Sequence, residues 1–112
     1  MKTINLETGL PTAKQAMDRL TNELYKIRAQ GVPYAKVIHG YGSTGSGGAI
    51  KSELKRHVSV LRQRRLITGF IPGEDFGPFS ASGRDAVARF RELRTDIDWG
   101  RSNDGISILI LK

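Results

Sequence analysis

The sequence predicts an α/β domain on a short mixed sheet, and three observations carry that prediction. Residues 2–7 alternate in polarity, a helix-periodic apolar stripe follows, and a second apolar run spans 34–38, which gives strand, helix, strand. A glycine-rich stretch then leads into a second amphipathic segment. Residues 105–112 are apolar at most positions on both faces of a strand, the pattern of a strand covered from both sides. At 112 residues the chain is one domain, 1–112.

In the first helix Ala13, Ala16, Met17, Leu20, Leu24 and Ile27 recur at offsets 0, 3, 4, 7, 11 and 14, a single apolar face. Thr12 with Gln15 three positions on has the form of a capping box, and Gly31 marks the stop. The crossover to the strand at 34–38 is then parallel and right-handed. In the second helix Ile50, Leu54, Val58 and Leu61 fall on one stripe and the remaining positions are strongly basic. Residues 66–71 read as a third strand. Residues 72–104 form an insertion before the last strand: a loop from Pro72 to Pro78, then a short helix from Arg84 to Arg94, capped by Ser82 with Asp85, with Val87, Phe90 and Leu93 inward.

Composition narrows the function. There is no cysteine, so disulfides and Cys-ligated metal sites are excluded. No apolar run approaches membrane-spanning length and the first residues lack the core of a secretory signal, so a soluble cytoplasmic protein without a membrane partner is expected. The net charge is +7, with a pI near 10.1. The excess is local: Lys51, Lys55, Arg56, Arg62, Arg64 and Arg65 stand against Glu53 alone within residues 51–65. Such a field attracts phosphates.

The glycine-rich stretch begins Gly40-Tyr41-Gly42-Ser43-Thr44-Gly45 and continues through Gly47 and Gly48. It has the spacing of a dinucleotide fingerprint, but arginines occupy the region where that motif needs an acidic residue. Gly48 and Ala49 likewise stand where a P-loop needs Lys and Ser or Thr. No nucleotide cofactor is expected. Small residues before a helix N-terminus still offer backbone N–H groups to an anion, with Lys51 and Lys55 nearby. Neither His39 nor His57 has a partner at metal-ligand spacing. His39 ends the second strand and Glu7 ends the first, which puts an imidazole and a carboxylate at one sheet edge, a candidate acid–base pair.

His39-Gly40-Tyr41-Gly42, the loop after it and Gly48-Ala49-Ile50-Lys51-Ser52-Glu53-Leu54-Lys55 resemble the second signature of the Smr (small MutS-related) domain family. Leu10-Pro11-Thr12-Ala13-Lys14-Gln15-Ala16 is similar to the start of that family's first helix. The resemblance implies a two-layer sandwich with a four-stranded mixed sheet and two main helices, in the order βαβαββ. This is the architecture of the C-terminal domain of translation initiation factor three. It also implies action on DNA or RNA. The family's first motif is degenerate in this chain, with Asn5 at its Asp position and Glu7 at its His position.

The expected function is therefore nucleic-acid binding. Gly40, Gly42, Gly45, Gly47 and Gly48 would present amides, Lys51, Lys55, Arg56, Arg62, Arg64 and Arg65 would supply charge, and His39 and Tyr41 would touch sugar or base. One alternative is an Smr-type endonuclease using His39 with Glu7, the only reading that would call for a divalent metal. Another is a non-catalytic regulatory module whose insertion, 72–104, meets a protein partner. Deleting residues 105–112 is expected to abolish cooperative thermal unfolding, since an interior strand carries much of the core. Calorimetry of the truncated chain checks this, and a surviving cooperative transition would show the strand to be dispensable.

Overall fold

The computed structural model describes residues 1–41 and 47–112. Strand β1 (Lys2–Asn5), helix α1 (Ala13–Ala29), strand β2 (Tyr34–Ile38), helix α2 (Gly47–Gln63), strand β3 (Gly69–Pro72), helix α3 (Ala81–Arg89) and strand β4 (Ile106–Ile110) follow one another. Short 3-10 turns occupy Gly73–Asp75 and Arg91–Thr95. The sheet is open and mixed, in the order β1-β2-β4-β3: β1 runs parallel to β2, and β4 is antiparallel to both of its neighbours. Among the described residues no helix is long and apolar enough to cross a membrane.

Both main helices begin or end as their sequences dictate. Thr12 accepts from the Gln15 amide and Gln15 returns the bond to the Thr12 amide, so the capping box is complete. At the other end Gly31 is left-handed at φ +79°, its amide donates to Arg28, and the Val32 amide reaches back to Ile27. Helix α2 leaves by the same Schellman arrangement, with Arg65 at φ 59° in the glycine position and the Leu66 amide donating to Leu61. This corrects the third strand. Leu66 and Ile67 are apolar because they fold back from this turn into the core under α1 and α2, and extended pairing starts only at Gly69.

The alternation of β2 and β4 sorts two cores. Ala35, Val37, Leu109 and Leu111 face α1 and α2, where Leu20, Leu24, Ile50, Leu54 and Leu61 are fully buried. Ile106, Ile108 and Ile110 face the opposite way, toward Phe76, Ala86 and Leu93 of the segment that links β3 to β4. That segment lies over the second face of the sheet, so every residue of β4 is buried. Its helix also differs from expectation. Ser80, not Ser82, caps it by accepting from the Gly83 amide, and the helix stops at Phe90, which leaves helical conformation at φ −129° and ψ 86°. The break lets Phe90 meet Tyr34 edge-on at 5.0 Å and Leu93 reach the core in the following 3-10 turn.

Lys36, in the middle of β2, pins this covering segment. Its side chain is 9% exposed, and Nζ donates to Asp96 at 2.7 Å and to Asp98 at 2.5 Å. Asn103 donates to the other Asp98 oxygen at 2.8 Å, and the Asp98 amide donates to Asp96. Burial works to lower the Lys36 pKa, but the two carboxylates outweigh it and hold it above the ordinary lysine value. Burial works to raise that of Asp98, but Asn103 and Lys36 hold it below the ordinary range. Removing Lys36 strands two half-buried carboxylates, at a cost below the roughly 3–5 kcal/mol of a fully buried pair.

Lys36→Met is therefore expected to lower the unfolding free energy at neutral pH, by less than the roughly 3–5 kcal/mol of a fully buried pair. Asp98, with its depressed folded pKa, stabilises above the ordinary aspartate pKa of about 3.9, and that contribution fades as pH falls through the lower folded value. Lys36 stabilises fully below about pH 10.4, and the contribution is lost as pH rises through its raised folded pKa. Urea titrations should thus show the deficit of the variant to be largest between these limits. An equal deficit in strong acid would mean that lost packing, not charge, is responsible.

Candidate nucleic-acid interface

At the carboxyl edge of the sheet β1 and β2 end and β4 begins. The His39 and Gly40 amides both donate to the Gly105 carbonyl at 3.0 Å, which locks the start of the His-Gly-x-Gly turn to the start of β4. Gly40 is left-handed at φ +83°, and the Glu7 carboxylate lies across it where any β-carbon would stand. The sequence thus brings Glu7 and the turn together, as expected. Glu7 itself is positioned by its amide, which donates to Asn5 Oδ1 at 2.8 Å.

His39 is not where a sugar or base contact, or an acid–base pair with Glu7, requires it. It continues the alternation of Ala35 and Val37, so its ring enters the helical core and is 0% exposed. Nδ1 lies 3.0 Å from the Gly40 carbonyl and Nε2 lies 2.9 Å from Ser107 Oγ, also fully buried. A carbonyl can only accept, which assigns the proton to Nδ1 and leaves Nε2 to accept from the Ser107 hydroxyl. Burial, against the pull of the Gly40 carbonyl, holds the pKa below the ordinary histidine value, so the ring is neutral. No Glu7–His39 hydrogen bond exists among the described residues.

The basic residues divide in two. Lys51 Nζ bonds Glu74 at 3.1 and 3.3 Å and the Asp104 carbonyl at 2.9 Å, tying α2 to the turns that flank the covering segment. Burial works against the Glu74 charge, but Lys51 and backbone bonding hold its pKa below the ordinary range. Arg56 is held by Glu53 at 2.6 Å. Neither is a free phosphate ligand in this arrangement. Lys55, Arg62, Arg64 and Arg65 are exposed, and among the described residues none has a carboxylate within ion-pair distance. Lys55 and Arg62, seven residues apart, share a helix face, and Arg62 lines a groove of about 300 Å3 along β3 with Arg89.

Of the glycines, Gly42 and Gly45 lie outside the described residues, Gly47 opens α2, and Gly48 is half-buried in its first turn. Tyr41 is 65% exposed, with its ring against Gly105. It borders a second groove, of about 420 Å3, over the part of β1 and β2 that the covering segment leaves open. The functional elements that sequence reasoning missed are here: Lys36, Asp98 and Asn103 on the groove floor and Ser107 behind it. A signal existed. Lys36 and Ser107 are the lone polar residues within otherwise apolar central strands, and each needs a buried partner.

Among the described residues no group of three or more His, Asp or Glu side chains is placed to hold a metal ion. Comparison of the chain with protein-family models, with curated proteins and with solved structures finds no match.

Because the folded chain holds His39 neutral, the unfolded chain takes up the extra proton near pH 6.5. The contribution to stability is full above that pH and is lost as pH falls toward the lower folded pKa. Unfolding free energies measured across this window are expected to decline on acidification, and His39→Gln should flatten that slope. An unchanged slope would place the titration elsewhere.

Proposed function

We propose that the chain is an Smr-like domain that binds DNA or RNA through its phosphates. The observation that carries this reading is the set of exposed cations at the far end of α2, Lys55 and Arg62 on one helix face and Arg64 and Arg65 just beyond it, none with a carboxylate within ion-pair distance among the described residues. Cations that are not already bonded can replace condensed counterions on a phosphate backbone, which Lys51 and Arg56 do less readily. The first turn of α2, opened by Gly47 and Gly48, adds backbone donors at the head of the same helix, whereas the Gly40 amide is already bonded to the Gly105 carbonyl. Binding is favoured over the endonuclease alternative because His39, the general acid or base of that reading, is buried with both ring nitrogens engaged.

Affinity for labelled single- and double-stranded DNA and RNA, measured by fluorescence anisotropy over a salt series, tests this. Each phosphate contact contributes nearly one unit to the logarithmic salt slope, so Lys55→Ala, Arg62→Ala and Arg65→Ala together should flatten it by about two to three units. An unchanged slope would remove this face from the binding surface. Cleavage by the wild type that disappears in His39→Ala would favour the endonuclease reading instead.

A further inference from the structure

The groove beside Tyr41 does not belong to the phosphate path. Its charged groups are Glu7 and Asp98 against Lys36, and Asp96 stands behind Lys36 as a second carboxylate. A phosphate would meet mostly acceptors there. The protein carries a net charge of +7, so this locally acidic groove runs against the rest of the molecule. Its lips are apolar: Tyr41 is 65% exposed and Ile97 is 75% exposed. The volume, about 420 Å3, falls within the range of pockets that enclose small ligands.

The polar groups inside are unequally available. Asp98 is taken by Lys36 and Asn103, and the Asn103 oxygen accepts from the Gly105 amide at 3.0 Å. Glu7 differs: its backbone is tied to Asn5 through its amide, its exposed carboxylate lies over Gly40, and among the described residues that carboxylate accepts no hydrogen bond. The groove therefore offers an apolar opening and one unbonded carboxylate with two parallel acceptors. We infer that it receives a single unpaired guanine base of the bound nucleic acid, stacked on Tyr41 and read by Glu7; this rests on the nucleic-acid reading above.

Chemistry selects the base. Guanine presents two adjacent donors, N1–H and the 2-amino group, on its pairing edge, and a carboxylate accepts both in parallel. Adenine and cytosine each place a ring acceptor in that position, which faces the carboxylate lone pairs. Uracil has one ring donor between two carbonyls. A base removed from its stack is commonly held between aromatic and apolar side chains while its pairing edge is read by hydrogen bonds. Gly105 contributes by having no side chain: a β-carbon there would come within 3.1 Å of the Tyr41 ring, which would have to shift by a few tenths of an ångström.

The test uses short oligouridylates and oligothymidylates in which one central base is replaced by guanine, adenine or cytosine. Guanine is expected to tighten binding about tenfold, adenine and cytosine far less, and Tyr41→Ala to remove the gain. Glu7→Gln should bring the guanine-to-adenine ratio close to one. Both side chains are exposed, and thermal melts of the variants confirm that they fold. In parallel, free guanosine is titrated and followed by amide shifts around the groove, with argininamide as the competing donor-rich probe.

Equal affinity for all substituted oligomers, with the salt dependence intact, overturns the guanine pocket and leaves phosphate binding standing. Guanosine shifts at Tyr41 and Ile97 without any oligomer binding keep the pocket and overturn the nucleic-acid reading. Argininamide shifts without guanosine shifts overturn the inference in favour of a cationic side chain as the occupant. Silence from every probe overturns both.

Discussion

Strand β4 cannot face water on either side. Ile106, Ile108 and Ile110 point one way and Ser107, Leu109 and Leu111 the other, and all are buried. Helices α1 and α2 cover only one of these faces. The long excursion between β3 and β4 follows from that: it returns over the open face and supplies Phe76, Ala86 and Leu93. Placing a strand of this kind between β2 and β3 also fixes the order of the sheet, because each flank of β4 needs a hydrogen-bonding partner. Lys36 then sets the position of the cover. A buried ammonium is tolerated only with its charge matched, and Asp96 and Asp98 can match it in one placement of the segment.

Much of this was legible from local pattern. The capping box at Thr12 and Gln15, the stop at Gly31, the stripe through Ile50, Leu54 and Leu61 and the strand at 34–38 all follow from short-range rules, and the structure repeats them. The departures have a common origin in long-range partners. Leu66 and Ile67 look strand-like because the apolar residues of a helix-terminating turn and of a strand have the same composition. Ser80 replaces Ser82 as the cap because the helix is placed by the sheet beneath it. The His-Gly-x-Gly sequence alone points to an edge position for His39. Its alternation with Ala35 and Val37 already sent it inward, and Ser107, sixty-eight positions away, gave it a buried partner.

The candidate site inherits this division of charge. Acidic residues are concentrated after β3, and several are consumed in holding the structure together: Glu74 by Lys51, Asp96 and Asp98 by Lys36. What remains exposed on the far half of α2 is cationic, while the groove over β1 and β2 keeps an acidic character. Six basic residues between 51 and 65 thus resolve into Lys51, which braces the fold, Arg56, which is paired with Glu53 on the surface of the same helix, and four exposed residues with no carboxylate within ion-pair distance among the described residues. The same burial that keeps His39 from solvent ties it to the start of β4, since the His39 and Gly40 amides bond the Gly105 carbonyl and the imidazole Nε2 bonds Ser107.

The central position of β4 also governs how the chain assembles during synthesis. β2 and β4 pair across about seventy residues, with Tyr34 opposite Ile110 and Ile38 opposite Ile106. Until the ribosome has released β4, β1 and β2 can only form a two-stranded parallel ribbon under α1, and β3 has no partner at all. Such a nascent intermediate exposes Ile71, Phe76 and the inner side of β2 together, the surfaces that associate when a chain is left unfinished. Closure must therefore come late and nearly all at once. Translation speed between β3 and β4 and the availability of a holding chaperone then become determinants of yield, independent of the stability of the finished fold.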